Sequence, residues 1–194
     1  MPAYDPTTAL LIVDIQNDFA DPAGNLYVND GEAVVPLANQ EAARARQAGA
    51  LVVYSRDWHP SATPHFQKDG GVWPVHCVQD SWGAAFHPAL QVQGEVLYKG
   101  SGGEDGYSAF SVRDPRSGDT QPTPLEALLR EQGVQRVVVL GLATDYCVKE
   151  TVLDARRLGF HAEVVRDGVR AVDLQPDDGD RALEAMQHAG ASLV

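Results

Sequence analysis

Short apolar runs alternate with stretches of helical spacing along most of the chain. Residues 9–15 (ALLIVDI) are a continuous apolar run rich in branched side chains, the mark of a strand buried on both faces. Residues 50–57 (ALVVYSRD), 95–100 (EVLYKG), 136–143 (RVVVLGLA) and 161–169 (HAEVVRDGV) read the same way, and the final ASLV is a candidate closing strand. Helical spacing runs over 32–49, 124–133, 145–159 and 178–190. Gly49 and Gly133 stand where helices stop, and Thr123 is a candidate N-cap. Strands that alternate with helices predict right-handed crossovers and a parallel sheet covered on both sides. The expected fold is α/β: a three-layer α/β/α domain over residues 1–194, with a mainly parallel sheet of about six strands.

One stretch breaks the rhythm. Residues 58–94 have no clear period, are rich in Pro, Gly and Trp, and hold four of the six histidines. A long irregular segment inside a compact domain points to a functional loop.

Composition narrows the function. With 27 acidic against 15 basic residues the net charge is −12, which argues against general binding to nucleic acid or anionic membranes. No run of about 18 apolar residues is present to span a bilayer, and no basic segment precedes the first apolar run as in a secretory signal. Cys77 and Cys147 are the only cysteines, too few for a disulfide framework. The expectation is a cytoplasmic protein with reduced thiols. Monomer and homo-oligomer both stay open.

In open α/β sheets ligands bind beyond the carboxyl ends of the strands. Reactive side chains stand at four such ends: Asp14, then Asp57 and His59, then Lys99, then Cys147. Cys147 falls where strand turns into helix, and the partial positive charge of a helix start favours a thiolate. The free amides of such a turn also suit an oxyanion. Asp14 lies inside an apolar run, where a carboxylate needs a partner and can serve as a base. Lys99 is one of three lysines against twelve arginines and could hold either group charged. Each residue also has a plainer reading: an inert buried thiol, a turn cap, a solvated strand-end lysine. Asp57 and His59 share a face in an extended segment, and His65 and His76 follow in the same loop. Mixed Asp/His ligation suits Zn²⁺, Fe²⁺ or Mn²⁺. Cys77, beside His76, reads as a packed thiol or a further ligand. His87, His161 and His188 are assigned no chemistry.

Three segments together resemble the nicotinamidase branch of the isochorismatase-like cysteine hydrolases. They are VDIQNDF (13–19), the DWHP…HF…WPVHC stretch (57–77) and GLATDYCVKET (141–151). YKG (98–100), YSAF (107–110) and DGVRAVDLQP (167–176) extend the similarity to nearly the whole chain. The resemblance implies an isochorismatase-like hydrolase fold whose region at about 57–94 binds metal and substrate. It implies a catalytic triad of Cys147, Asp14 and Lys99, and an oxyanion hole from the Ala143 and Cys147 amides beside a cis peptide between Leu142 and Ala143. It implies one divalent metal, Zn²⁺ first, on Asp57, His59 and His76, with His65 as fourth ligand. Phe19, Trp73 and Tyr107, with Leu142, would line the site of a pyridine ring. The implied activity is hydrolysis of nicotinamide to nicotinate and ammonia in NAD salvage, with pyrazinamide as a related substrate. Two other kinds of reading stand beside it. One is a sibling cysteine amidase acting on another small amide or ureido compound. The other is a non-catalytic ligand-binding module, which would predict a missing triad member.

Overall fold

The computed structural model describes residues 2–194. A six-stranded, wholly parallel sheet carries the molecule, in the order β3-β2-β1-β6-β7-β8. Its strands are β1 (Thr8–Val13), β2 (Leu51–Asp57), β3 (Glu95–Lys99), β6 (Arg136–Leu142), β7 (His161–Arg170) and β8 (Ser192–Leu193). All six strands fall on the apolar runs of the sequence. Every residue of β1 is buried, as its unbroken apolar run requires of a central strand.

The side chains of β1 divide the core in two. Leu10 and Ile12 pack with α2 (Val34–Gln47) on one face, and Ala9, Leu11 and Val13 pack on the other. That second face is covered by α3 (Leu125–Glu131), α4 (Lys149–Arg157) and α5 (Asp178–His188). The result is the expected α/β/α sandwich. Gly49 and Gly133 lie just past α2 and α3 with φ of 76° and 69°, the left-handed stop read from the sequence. Thr123 accepts the Leu125 amide at 3.2 Å, one residue ahead of the position that caps α3.

Three features depart from the sequence reading. The expected helix over 145–159 begins as a wide π-type turn, Thr144–Val148, and becomes α-helical only at Lys149. A short helix, α1 (Asn17–Ala20), follows β1 directly. A small antiparallel hairpin, β4 (Ser111–Arg113) with β5 (Thr120–Pro122), stands apart from the main sheet. Four-residue helices and three-residue strands are too short for periodicity to register.

Gly141 shows why one position in β6 admits no side chain. Its φ is 123°, and a Cβ there would collide with the Val13 backbone on β1. The register between β6 and β7 shifts at the same place. The local bend directs the chain into the Ala143–Cys147 turn.

Candidate active site

Four adjacent strands end together. Asp57 on β2 pairs in register with Lys99 on β3, and Val13 on β1 with Gly141 on β6. Asp14 follows Val13 directly, and Cys147 lies in the turn after β6. Parallel order thus gathers Lys99, Asp57, Asp14 and Cys147 from distant parts of the sequence at one rim.

Asp14 leaves the strand with φ of 51°, a left-handed conformation uncommon for a residue with a Cβ and concentrated at functional sites. Its carboxylate accepts Ser55 Oγ at 2.6 Å and Lys99 Nζ at 2.6 Å. Lys99 is fully buried. Its ammonium also lies 3.0 Å from Asp57 Oδ1 and donates to the Gly106 carbonyl. Gly106 makes that approach feasible, because a Cβ there would press on Lys99 Cβ and Asp57. Burial works to discharge Lys99, but Asp14 and Asp57 outweigh it and hold the ammonium charged, well above the usual lysine range. Burial raises the Asp14 carboxyl, and Lys99 opposes it. Burial likewise acts to raise Asp57, yet Lys99, then His59 and His76, hold it below the ordinary carboxylate range.

The reactive oxygens of Asp14 and Asp57 and the Sγ of Cys147 lie within 4.8 Å of one another. Those three groups could share a cation, and the Lys99 ammonium already supplies it. The thiol departs from its sequence reading. Burial raises Cys147 well above the ordinary cysteine range, Lys99 lowers it only in part, and Asp14 and Asp57 raise it further. Burial and the two neighbouring acids thus favour the neutral thiol over the thiolate. The Leu142–Ala143 peptide is cis, as the resemblance implies. The Ala143 carbonyl accepts the amides of Tyr146 and Val148, which fixes the turn around Cys147.

The histidines come from the irregular loop. His59 bonds through its backbone to Cys77 and Gln79, a short parallel bridge that brings His76 beside the end of β2. His65 stacks on His59 with ring centroids 4.5 Å apart. One nitrogen from each of His59, His65 and His76 falls within 4.8 Å of the others. Asp57 Oδ2 lies 3.7 Å from His59 Nε2 and 4.0 Å from His76 Nε2. Gln16 clamps the backbone of Asp57, taking its amide and donating to its carbonyl.

These residues fit a divalent cation on three grounds. Both ring nitrogens of His59 are buried without a hydrogen-bond partner. His76 and His65 each donate from Nδ1, to the Pro74 carbonyl at 2.8 Å and to Asp105 at 2.6 Å, which leaves both Nε2 lone pairs free. Burial pushes His76 down to about 4 against the pull of Asp57, so its ring is neutral. Orphaned ring nitrogens beside a carboxylate form a ligand set. Cys77 takes no part: its thiol is buried 4.0 Å from the Gly83 carbonyl and its amide bonds to Asp18.

A cavity joins the two groups. Cys147, Ala143 and Leu142 line one side, and Asp57, His65 and His76 another. Phe19, Trp73 and Tyr107 complete it, with the Trp73 indole donating to the Tyr107 hydroxyl at 2.7 Å. All the site residues singled out in the sequence, except Asp14, His59 and Lys99, line this cavity; those three stand immediately behind the wall. Tyr146, which the sequence places at the strand end without a role, meets the Trp73 ring edge-on at 4.8 Å and lines the cavity, and the apolar wall of Leu26, Val28 and Val172 was not foreseen. Sequence reading also missed Ser55 and Gln16.

Among the described residues no helix is long and apolar enough to cross a membrane. The isochorismatase domain model matches residues 8–194. A nicotinamidase of Escherichia coli is 41% identical, with 97% of this chain and 94% of that one covered. A pyrazinamidase of Pyrococcus horikoshii, solved in complex with zinc, superposes with a TM-score of 0.86 at 39% identity, covering 97% of this chain and 99% of the other. A protein of L. infantum, solved in complex with nicotinate, gives 0.89 at 35%, covering 100% and 95%. Matched along almost its whole length in sequence and in fold, the chain belongs to the isochorismatase family.

Proposed function

We propose that the protein is a nicotinamidase, hydrolysing nicotinamide to nicotinate and ammonia through a thioester on Cys147. The observation that carries this reading is a thiol paired with a buried Asp14–Lys99 unit, opening on an aromatic cavity that His65 and His76 also face. The nicotinamidase relatives and the nicotinate-bound neighbour support it.

The pyridine ring would lie among Phe19, Trp73 and Tyr107, against Leu142. Asp14 takes the proton from Cys147 Sγ as the sulfur attacks the carboxamide carbon. Lys99 stays charged and holds Asp14 in place. The Ala143 and Cys147 amides receive the oxyanion, a contribution of about 10²–10³ in rate per donor in comparable sites. Asp14 then returns the proton to the amide nitrogen, the C–N bond breaks and ammonia leaves. In the second half Asp14 takes a proton from the attacking water, the C–S bond breaks, and the proton returns to the sulfur as nicotinate forms. Asp57, His59, His65 and His76 would hold a divalent metal, Zn²⁺ first by analogy with the zinc-bound neighbour. When bound, the metal supplies a Lewis-acidic partner for the ring nitrogen. A free reduced nucleophile of this kind suits the cytoplasm.

Ammonia release from nicotinamide by the purified, reduced, zinc-loaded protein tests the reading. Cys147→Ala should abolish release while leaving nicotinate binding measurable. No release from the native protein would reassign it to another small amide.

A further inference from the structure

Three consecutive residues, Asp105, Gly106 and Tyr107, each touch a different part of the site. Asp105 Oδ1 accepts His65 Nδ1 at 2.6 Å, the Gly106 carbonyl accepts Lys99, and the Tyr107 hydroxyl accepts the Trp73 indole. Asp105 is held by its own backbone. Its amide donates to the Arg113 carbonyl at 2.7 Å and its carbonyl accepts the Arg113 amide at 3.0 Å, so β4 of the small hairpin carries it. Nothing in that anchorage uses the carboxylate, whose side chain is 14% exposed and which points at a histidine 40 positions earlier.

An ionised carboxylate can only accept. It fixes His65 in the tautomer with hydrogen on Nδ1, turns the ring, and presents the Nε2 lone pair toward His59 and His76. It also raises the donor strength of that nitrogen. Thr63 supports the same arrangement from the backbone, its hydroxyl accepting the His65 amide and donating to the Gly103 carbonyl.

We infer that Asp105 is a positioning residue for the metal: it orients His65 as the fourth ligand, and the β4–β5 hairpin exists in part to hold it there. The inference rests on the metal site within the proposed function and not on the choice of substrate.

The test is the zinc dissociation constant, measured without substrate by competition with a chromophoric chelator. Native protein, Asp105→Ala, Asp105→Asn, His65→Ala and the Asp105→Ala/His65→Ala double variant would be compared. Asp105→Ala should weaken zinc binding about 10- to 100-fold. Asp105→Asn keeps an oxygen acceptor and should recover part of the loss. In the His65→Ala background the second substitution should add nothing, because its effect acts through that ring. Unfolding of the metal-free variants should match the native protein, since the backbone bonds to Arg113 remain. Unchanged zinc affinity in Asp105→Ala would overturn the inference. So would an undiminished further loss in the double variant, or a native protein that binds no zinc. Protein that binds zinc in this Asp105-dependent way yet releases no ammonia from nicotinamide would refute the substrate reading and leave this one standing.

Discussion

Lys99 and His59 are both fully buried against the same Asp57, yet their polar atoms fare differently. The lysine ammonium meets Asp14, Asp57 and the Gly106 carbonyl. The imidazole has no hydrogen-bond partner at either nitrogen. The lysine side is assembled from strand ends fixed by the sheet, and its ammonium is met by two carboxylates and a carbonyl. The histidine side is assembled by a loop and leaves donor atoms unmatched, which is the signature of a site completed by a cation. A catalytic group that must hold its protonation state gains from the first arrangement; a group meant to ligate needs the second.

The largest break in this comparison should come from Lys99→Met. Removing one member of a buried ionic cluster strands the other, and about 3–5 kcal/mol of stability should be lost at neutral pH, read by urea unfolding. Adding Asp14→Asn should recover much of it. A Lys99→Met protein as stable as the native one would show that the ionic cluster is not what holds the strand ends together.

Next in size is the thiol. A raised Cys147 leaves thiolate scarce at neutral pH, so alkylation should climb roughly tenfold per pH unit through the ordinary cysteine range. A rate already on a plateau below pH 7 would mean a preformed thiolate. Mass spectrometry separates Cys147 from the more deeply buried Cys77.

The histidine side should respond to zinc where the lysine side does not. Zinc at about a hundred times its Kd should stabilise the protein by about 2.7 kcal/mol, measured as a rise in Tm. His59→Ala should erase that rise, whereas Cys147→Ala should keep it.

The smallest effect tests the wall between the two sides. Tyr146 props Trp73 edge-on, a contact worth about 0.5–1.5 kcal/mol. Tyr146→Ala should therefore raise KM for nicotinamide roughly two- to tenfold, with kcat less affected. Equal losses in kcat alone would place Tyr146 in the transition state instead.

The strands were legible because each is a short apolar run, and the residues after them because chemistry in a parallel sheet concentrates at carboxyl ends. Asp14, Asp57, Lys99 and Cys147 could be found that way. What periodicity could not reach is contact between distant residues. Ser55 faces Asp14 from the neighbouring strand. Asp105 meets His65 from across the site. Leu26 and Val28 sit in a polar-looking loop and still form cavity wall. The upward shift of Cys147 was out of reach for the same reason: a helix start is visible in sequence, whereas the depth of burial and two neighbouring acids are not.

Asp57 divides its carboxylate, one oxygen toward Lys99 and the other toward His59 and His76. Heredity would act on the two chemistries as one. Under the proposed function, a mutation that retunes the metal by altering this residue also alters the electrostatic setting of Asp14, so neither trait is free to drift alone. Directed evolution toward a different metal would do better to leave Asp57 untouched and vary the loop histidines, where a change of ligand reaches the base only through this one carboxylate.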